Sequence, residues 1–134
     1  MRRRRGRVAT RVNGEEVTAS GAPHLHCPKC GEKMLSLDEW GFVEQQALAR
    51  YRKKYRLLSG DDIRALRERL GLTQAALADL LRLGPNTISR WEAGRNVQTA
   101  AMNALLELVR DVPGALRYLR AHRHPRPAPA SPPR

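Results

Sequence analysis

The sequence has few aromatic residues, few cysteines and few acidic residues. Only 4% of its 134 residues are aromatic, and there are two cysteines. No apolar run approaches the roughly 20 residues that span a bilayer, and no apolar stretch follows the Arg-rich start as in a secretory signal. No carboxylate pair, catalytic triad or phosphate-binding loop is visible. We therefore expect a cytoplasmic protein that contacts no membrane, carries no structural disulfide and is not an enzyme.

Basic residues are abundant by contrast. Lys and Arg number 25 against 13 acids, which gives a net charge of +12 and a pI near 11.1. Such a charge favours a polyanionic partner such as nucleic acid. Residues 61–96 carry six Arg and five acids and are nearly neutral. The excess lies in three flanking clusters: Arg2 to Arg5 with Arg7 and Arg11; Arg50, Arg52, Lys53, Lys54 and Arg56; Arg110, Arg117, Arg120, Arg123, Arg126 and Arg134.

The central stretch of the chain predicts two helices joined by a tight turn. Thr73 is a suitable N-cap for the first, and an apolar stripe at helical spacing follows, formed by Ala76, Leu77, Leu80 and Leu81. Pro85 suits the first turn of the second helix, where a missing N–H costs nothing.

The second helix has two different faces. Ile88 and Trp91 fall on one face, which we expect to be core, whereas Asn86 and Arg90 fall together on the other. A short helix that exposes Asn and Arg has the shape and chemistry of a major-groove reader.

The rest of the chain predicts short elements around these helices. Asn13 and Gly14 indicate a hairpin turn between residues 7–12 and 15–20. Residues 1–6 are too Arg-rich to fold alone, and the arginines there act either as an arm that contacts DNA or as a solubilising tail. Further helices are predicted at 37–54, from a start within 59–62 to about residue 70, at 98–110, and as a short last helix after Gly114. A Pro-rich stretch from Pro125 is expected to be disordered.

Several of these segments carry a family likeness. Residues 60–109 resemble the lambda-repressor-like helix-turn-helix domains of the XRE/Cro type, through Ile63-Arg-Ala-Leu-Arg67, Leu70-Gly-Leu-Thr-Gln74, Leu77-Ala78 and Thr87-Ile-Ser-Arg-Trp-Glu-Ala-Gly94. With the Cys-x-x-Cys segment, Tyr51-Arg52 and Leu57-Leu58-Ser59, the likeness extends over about residues 8–120 to the MqsA (YgiT-type) antitoxin family.

The resemblance implies a mostly α fold, a lambda-repressor-like helix-turn-helix bundle preceded by a small β-hairpin and a degenerate zinc knuckle. The segments would be 1–35 (Arg-rich start, hairpin and knuckle), 36–58 (connecting helix), 59–122 (helix-turn-helix domain) and 123–134 (disordered tail). In the family a zinc-binding N-terminal part contacts a ribonuclease toxin, and the C-terminal part dimerises and represses the operon.

The resemblance also assigns site residues. Asn86 and Arg90 match base-contacting positions, Gln74 and Thr87 match positions that contact phosphates, and Pro85 completes the predicted DNA-binding set.

A structural ion pair comes from the same likeness. Arg67 and Glu92 match a salt bridge between the first helix of the domain and the end of the recognition helix.

The metal site is incomplete in this sequence. The family uses two Cys-x-x-Cys pairs, but only Cys27 and Cys30 are present, and tetrahedral zinc needs four ligands. Three interpretations stay open: zinc completed by His24 and His26, a degenerate knuckle with free thiols, and a redox pair. We favour the knuckle with free thiols. No cofactor is firmly predicted, and zinc is the one that stays possible.

These observations favour a dimeric DNA-binding repressor that acts as the antitoxin of a type II toxin–antitoxin pair. Its partners would be a ribonuclease toxin and a palindromic double-stranded operator, read by two helices about 34 Å apart. The alternatives are an orphan XRE-family regulator without a toxin, and a nucleic-acid-associated adaptor whose basic flanks contact RNA.

Overall fold

A computed structural model describes residues 1–123, and in them a three-stranded antiparallel sheet precedes six helices. The strands are β1 (Arg2–Val12), β2 (Glu15–His26) and β3 (Lys33–Met34), in the order β1-β2-β3. The helices are α1 (Leu37–Lys54), α2 (Gly60–Arg69), α3 (Gln74–Leu80), α4 (Thr87–Glu92), α5 (Ala100–Asp111) and α6 (Ala115–Ala121). The expected helical fold with a small β element before it is confirmed. The disordered tail predicted from Pro125 lies outside the described residues.

The hairpin is longer than predicted. Its turn is where expected, because Asn13 and Gly14 both have positive φ, +50° and +81°. However, Arg2 to Arg5 are paired with His26, Leu25, His24 and Pro23, beyond a register shift between Gly6 and Val8. Residues 2–6 are therefore part of a strand and not an unpaired arm or tail, whereas a contact of their arginine side chains with DNA stays a prediction. A strand ladder is made by backbone groups, so these arginines pair with β2 while their side chains stay exposed.

Helix α1 covers one face of the sheet. It begins with the predicted capping box, in which the Ser36 hydroxyl accepts the Glu39 N–H and the Glu39 carboxylate accepts the Ser36 N–H. A small apolar cluster lies between helix and sheet, formed by Val8, Ala19, Ala22 and Val43.

A second cluster joins the sheet to the helices that follow. It contains Val12, Ala47, Leu48, Tyr51, Leu57 and Val97. The side-chain amide of Asn13 donates a hydrogen bond of 3.1 Å to the Val97 carbonyl, across 84 positions of sequence. The tip of the hairpin is thereby attached to the segment that follows α4.

The main core lies among α2 to α5. Its buried members are Ile63, Leu66, Leu77, Ala78, Leu81, Ile88, Trp91, Leu106 and Val109. The prediction that Ile88 and Trp91 belong to the core is confirmed, since they are 0% and 5% exposed. No helix in residues 1–123 is both long and apolar enough to cross a membrane.

Two helices begin two residues later than predicted. Pro85 and Asn86 form a turn, closed by the Thr87 N–H on the Gly84 carbonyl at 3.2 Å, so α4 begins at Thr87. Helix α5 begins at Ala100 rather than at Gln98, since the hydroxyl of Thr99 caps it by accepting the Met102 N–H.

Candidate nucleic-acid interface

The candidate interface begins with α3 and the turn that follows it. Thr73 caps α3 as predicted, because its hydroxyl accepts the Ala76 N–H at 3.0 Å. After Leu81 the chain reverses at Arg82, whose φ is +59°, and the Leu83 N–H donates to the Ala78 carbonyl at 2.8 Å. This is a Schellman ending. It redirects the chain so that α4 packs against both α3 and α2.

Helix α4 presents a polar face to solvent. Ile88 and Trp91 are buried, whereas Asn86 and Arg90 are both exposed. The Arg90 N–H donates to the Asn86 carbonyl at 3.1 Å, which places these residues one helical turn apart on the same side. The Asn86 side chain makes no capping hydrogen bond to the helix. Its amide can therefore contact a ligand.

The other three predicted DNA-binding residues lie in different surroundings. Pro85 is exposed in the turn, and Thr87 is half-buried at the start of α4. Gln74, the first residue of α3, is half-buried and hydrogen-bonded through its side chain to Glu92. The structure thus brings Pro85, Asn86, Thr87 and Arg90 together on one side, and it ties Gln74 to the end of α4.

Glu92 is the centre of a buried polar cluster. Its two carboxylate oxygens receive the Arg67 guanidinium in a fork, at 2.8 and 3.0 Å, and Arg64 Nε lies 3.3 Å from Oε1. The Glu92 side chain is 1% exposed and that of Arg67 is 15% exposed. Arg67 also donates to the Leu72 carbonyl at 3.0 Å. These contacts fix the end of α4 to α2 and to the loop before α3.

The environment of Glu92 keeps it ionised. Burial by itself would raise the pKa of this carboxyl, but the hydrogen bonds from Arg67, Gln74 and Arg64 outweigh burial and lower the pKa below its ordinary value. Glu92 is therefore an anion at neutral pH, paired with cations on its own domain.

Gly60 lets α2 approach the end of α4, and this role was not predicted from the sequence. It is the first residue of α2, and a Cβ atom there would lie 2.5 Å from the Glu92 carbonyl oxygen and 2.8 Å from that of Trp91. Only a residue without a side chain lets α2 approach the end of α4 so closely. The available signal was a glycine in the first turn of a well-capped helix, where glycine is intrinsically unfavourable.

The segment after α4 is also held by contacts that the sequence did not reveal. Gln98 is 2% exposed, and its side-chain amide donates to the Leu58 carbonyl at 2.9 Å and to Asn103 Oδ1 at 3.1 Å. The same Asn103 oxygen accepts the Leu58 N–H at 2.8 Å. Together with the hydrogen bond from Asn13 to the Val97 carbonyl, these contacts hold the loop that leaves α4 in place.

Part of the basic surface has structural partners. Arg50 on α1 donates to the Thr18 carbonyl at 2.9 Å and to the Ser20 hydroxyl at 2.7 Å. Lys54 lies 3.2 Å from the Glu15 carboxylate. These cations attach α1 to the hairpin, so the charge free to meet a polyanion is smaller than the sequence total suggests.

The predicted zinc ligands do not come together. His24 is 2% exposed, and its Nδ1 forms a 2.8 Å hydrogen bond with the Ala22 carbonyl. In residues 1–123, no three His, Cys, Asp or Glu side chains are close enough to hold one metal ion. The four-ligand set of Cys27, Cys30, His24 and His26 therefore does not fit tetrahedral zinc in this chain.

The two thiols nevertheless lie close together. Hydrogen bonds from the Cys30 backbone, then the Lys29 backbone and the Cys30 side chain, lower the pKa of the Cys27 thiol, although burial and the charge of Glu32 oppose them. Both cysteines are free.

Comparison with known proteins places the chain in a family. A family model described as the antitoxin component of the bacterial toxin–antitoxin system, MqsA, matches residues 3–120. Antitoxin HigA-2 of Vibrio cholerae serotype O1 is 32% identical over 62 residues, which are 46% of this chain and 60% of the HigA-2 chain. The chain thus spans about three fifths of the length of this curated relative. On the family match, the chain belongs to the MqsA family of toxin–antitoxin antitoxins.

Proposed function

We propose that this antitoxin is a sequence-specific DNA-binding repressor that controls its own operon, with α3, the turn and α4 acting as an XRE-type helix-turn-helix. The observation that carries the proposal is the exposed polar face of α4, where Asn86 and Arg90 lie one turn apart on a helix anchored by Ile88 and Trp91. Asn pairs bidentately with adenine and Arg with guanine. Thr87 and Pro85 flank this face. Gln74 supports the end of α4 through the hydrogen bond of its side chain with Glu92.

Arg90→Ala tests this proposal. The substitution removes one base contact per subunit, worth about 1–3 kcal/mol, so we expect a two-subunit complex to lose roughly 30-fold or more in specific affinity. Arg90 is exposed, so the melting temperature should hardly change. Gel-shift titration on the promoter of the operon, with a scrambled duplex beside it, measures the specificity ratio.

Arg117→Ala is the matched control. It removes the same charge from an exposed position on α6 and should weaken both duplexes equally. Equal operator affinity for Arg90→Ala and wild type would refute the assignment of α4 as the reading helix.

We propose further that the chain acts as a homodimer through the outer face of α5. Leu108 is 52% exposed there, and Val112, which directly follows α5, is 47% exposed, although the opposite face of α5 is already buried in the core. A helix that is apolar on both sides is normally covered on both sides. Ala101 and Ala104 lie on the exposed side near the start of α5, and Leu108 lies on it one turn later. In an antiparallel pairing across a two-fold axis, the small residues of one copy would oppose the large ones of the other.

Leu108→Glu tests the dimer surface. A charge in an apolar interface has no partner, so we expect the variant to be a folded monomer by light scattering at concentrations where the wild type is a dimer. Leu37→Glu is the control, since Leu37 is 90% exposed at the start of α1. A dimeric Leu108→Glu variant would show that copies associate elsewhere.

As an antitoxin the chain has a toxin partner, which we propose to be a ribonuclease bound by the N-terminal segment. Co-expression with the adjacent gene tests this. Co-purification and loss of ribonuclease activity support it, whereas independent migration of the two products would favour the orphan-regulator alternative. The segment boundaries 1–35, 36–58 and 59–122 remain our proposal for how these tasks divide along the chain.

A further inference from the structure

Strand β1 forms an open edge of the sheet that the DNA-binding proposal does not use. It is 11 residues long and comes first in the order β1-β2-β3. One side of β1 therefore pairs with β2, and its other side pairs with no strand in residues 1–123. Such a side presents a row of backbone N–H and C=O groups that another extended chain can pair with.

The register of the hairpin shows which residues turn these groups outward. Val12 and Glu15 flank the two-residue turn and lie opposite each other, and in such a hairpin this pair exchanges both hydrogen bonds. Hydrogen-bonded and non-hydrogen-bonded pairs alternate along antiparallel strands, so every second residue of β1 points its N–H and C=O away from β2. The outward residues are Arg3, Arg5, Arg7, Ala9 and Arg11.

This alternation continues through the register shift. The shift sets one residue of β1, Arg7, against two residues of β2, so the extra residue belongs to β2 and β1 stays regular. Beyond the shift, Arg5 is opposite Pro23, which has no N–H to donate to β1. The outward carbonyl of Arg7 accepts a hydrogen bond from the Lys33 ammonium, which brings a further cation to this edge.

The charge of the edge restricts its partner. Arginine occupies residues 2–5, 7 and 11, and β1 contains no acidic residue. Arg3 lies 3.5 Å from Glu39 of α1 but stays 71% exposed. A second copy of β1 is a poor partner, because like charges directly opposite each other destabilise a strand pair. An extended segment that carries Asp or Glu is complementary both to the backbone and to the charge.

The arginines lie on both faces of the strand, which favours a protein segment over a nucleic acid. Arg4 is opposite the buried His24 and Arg5 is opposite Pro23, so these two exposed side chains project to opposite faces. An added strand lies in the plane of the sheet and directs its own side chains to both faces, whereas a nucleic acid contacts one face. We propose that the free edge of β1 binds an extended acidic segment of the toxin, which joins the sheet as a further strand. This proposal rests on the toxin contact proposed for the N-terminal segment and names its chemistry.

Ala9→Pro tests the edge while it preserves the hairpin. The Ala9 N–H points outward, and proline is tolerated in an edge strand where its missing N–H would face solvent. We expect the variant to fold but to bind the product of the adjacent gene at least about tenfold more weakly in a calorimetric titration, since one interstrand hydrogen bond is lost. Ala9→Val keeps the N–H and is the matched control, with affinity equal to wild type. Thermal melts establish that each variant is folded.

A blocked synthetic peptide of about ten alternating Glu and Val residues, the length of a long strand, tests the chemistry without the toxin. On wild type it should slow amide hydrogen exchange at Arg5 and Ala9, measured by NMR, and change little at Thr10, whose N–H already faces β2. A peptide of alternating Lys and Val should have no effect. Arg5→Gln combined with Arg7→Gln retains the backbone edge and should weaken binding of the Glu–Val peptide.

Each part of the test has a result that would overturn the proposal. Toxin affinity of Ala9→Pro equal to wild type would place the toxin on another surface. Equal protection by the two peptides would show that charge does not select the partner. Loss of scrambled-duplex binding in the double Arg variant, with peptide binding intact, would assign these arginines to nucleic acid. Failure of wild type to bind the product of the adjacent gene would refute the toxin partner itself, and the peptide then shows separately whether the edge accepts an acidic strand.

Discussion

Glu92→Ala is expected to lower the free energy of unfolding by about 3 kcal/mol, the lower end of the range for breaking a buried ion pair. The lower end applies because Arg67 retains 15% exposure and Arg64 retains 53%. The loss arises because removing the carboxylate leaves the Arg67 guanidinium facing a site from which water is largely excluded. Since small domains are stable by about 5–15 kcal/mol in total, urea denaturation should show a large shift of the midpoint.

A double-mutant cycle measures the interaction energy between Arg67 and Glu92 apart from the effect of removing each side chain alone. Arg67→Met with Glu92→Leu removes both charges and fills the volume, so the double variant should be more stable than either single variant. Additive losses in the cycle would mean that the two side chains do not interact energetically.

The same pair predicts how stability depends on pH. Because the pKa of Glu92 is lower in the folded protein than in the unfolded chain, its contribution is fully present above the unfolded value. That contribution is lost as the pH falls through the lower folded value. The stability difference between wild type and Glu92→Gln, which does not titrate, should therefore shrink on acidification. A constant difference across this range would contradict the assignment.

Gly60→Ala is expected to destabilise the fold by about 1–3 kcal/mol, the usual cost of forcing an extra carbon into a filled space. The added methyl would lie 2.5 Å from the Glu92 carbonyl oxygen, an atom of the backbone, so a side-chain rotation cannot relieve the clash. Either α2 or α4 must move. Because α4 carries Arg90 and begins directly after Asn86, we expect specific DNA affinity to fall even among the folded molecules.

Gly41→Ala is the control for Gly60→Ala. Gly41 lies inside α1, has no positive φ, and a Cβ atom there would meet nothing within 4 Å. Alanine should therefore stabilise α1 by about 0.5–1 kcal/mol through helix propensity. Chemical denaturation and the gel shift compare the two variants. If Gly60→Ala matched wild type in both measurements, the close approach of α2 to α4 would matter neither for stability nor for DNA affinity.

The helix starts and the buried faces of the helices could be predicted from the sequence, because the residues that specify them are close together in the chain. Ser36 with Glu39, Thr73, and the spacing of Ile88 and Trp91 each specify a cap or a face within one or two helical turns. The start of β1 could not be predicted in the same way, because its pairing depends on residues 22–26 and its own composition suggests a solvated tail.

The arrangement around α4 was only partly predictable, for the same physical reason. Asn86 and Arg90 could be identified from their spacing, whereas the contacts that position their helix are distant in sequence. Gly60 touches the backbone of α4 some thirty positions away, and Gln98 binds Leu58 across 40 positions. The sequence around Gly60 or Gln98 does not indicate which residue it contacts, because that contact depends on how whole helices pack.

The hydrogen bond from Asn13 to Val97 has a thermodynamic consequence. It joins the tip of the hairpin to the loop that leaves α4, so the hairpin cannot move away from that loop without breaking this bond. If α4 reads DNA as proposed, and does so only while the hairpin is docked, a partner that binds the undocked hairpin would weaken DNA binding by the same factor by which DNA weakens that partner's binding. Under the same conditions, a partner that favours the docked hairpin would strengthen DNA binding reciprocally. Asn13→Ala would loosen this linkage without touching either binding surface.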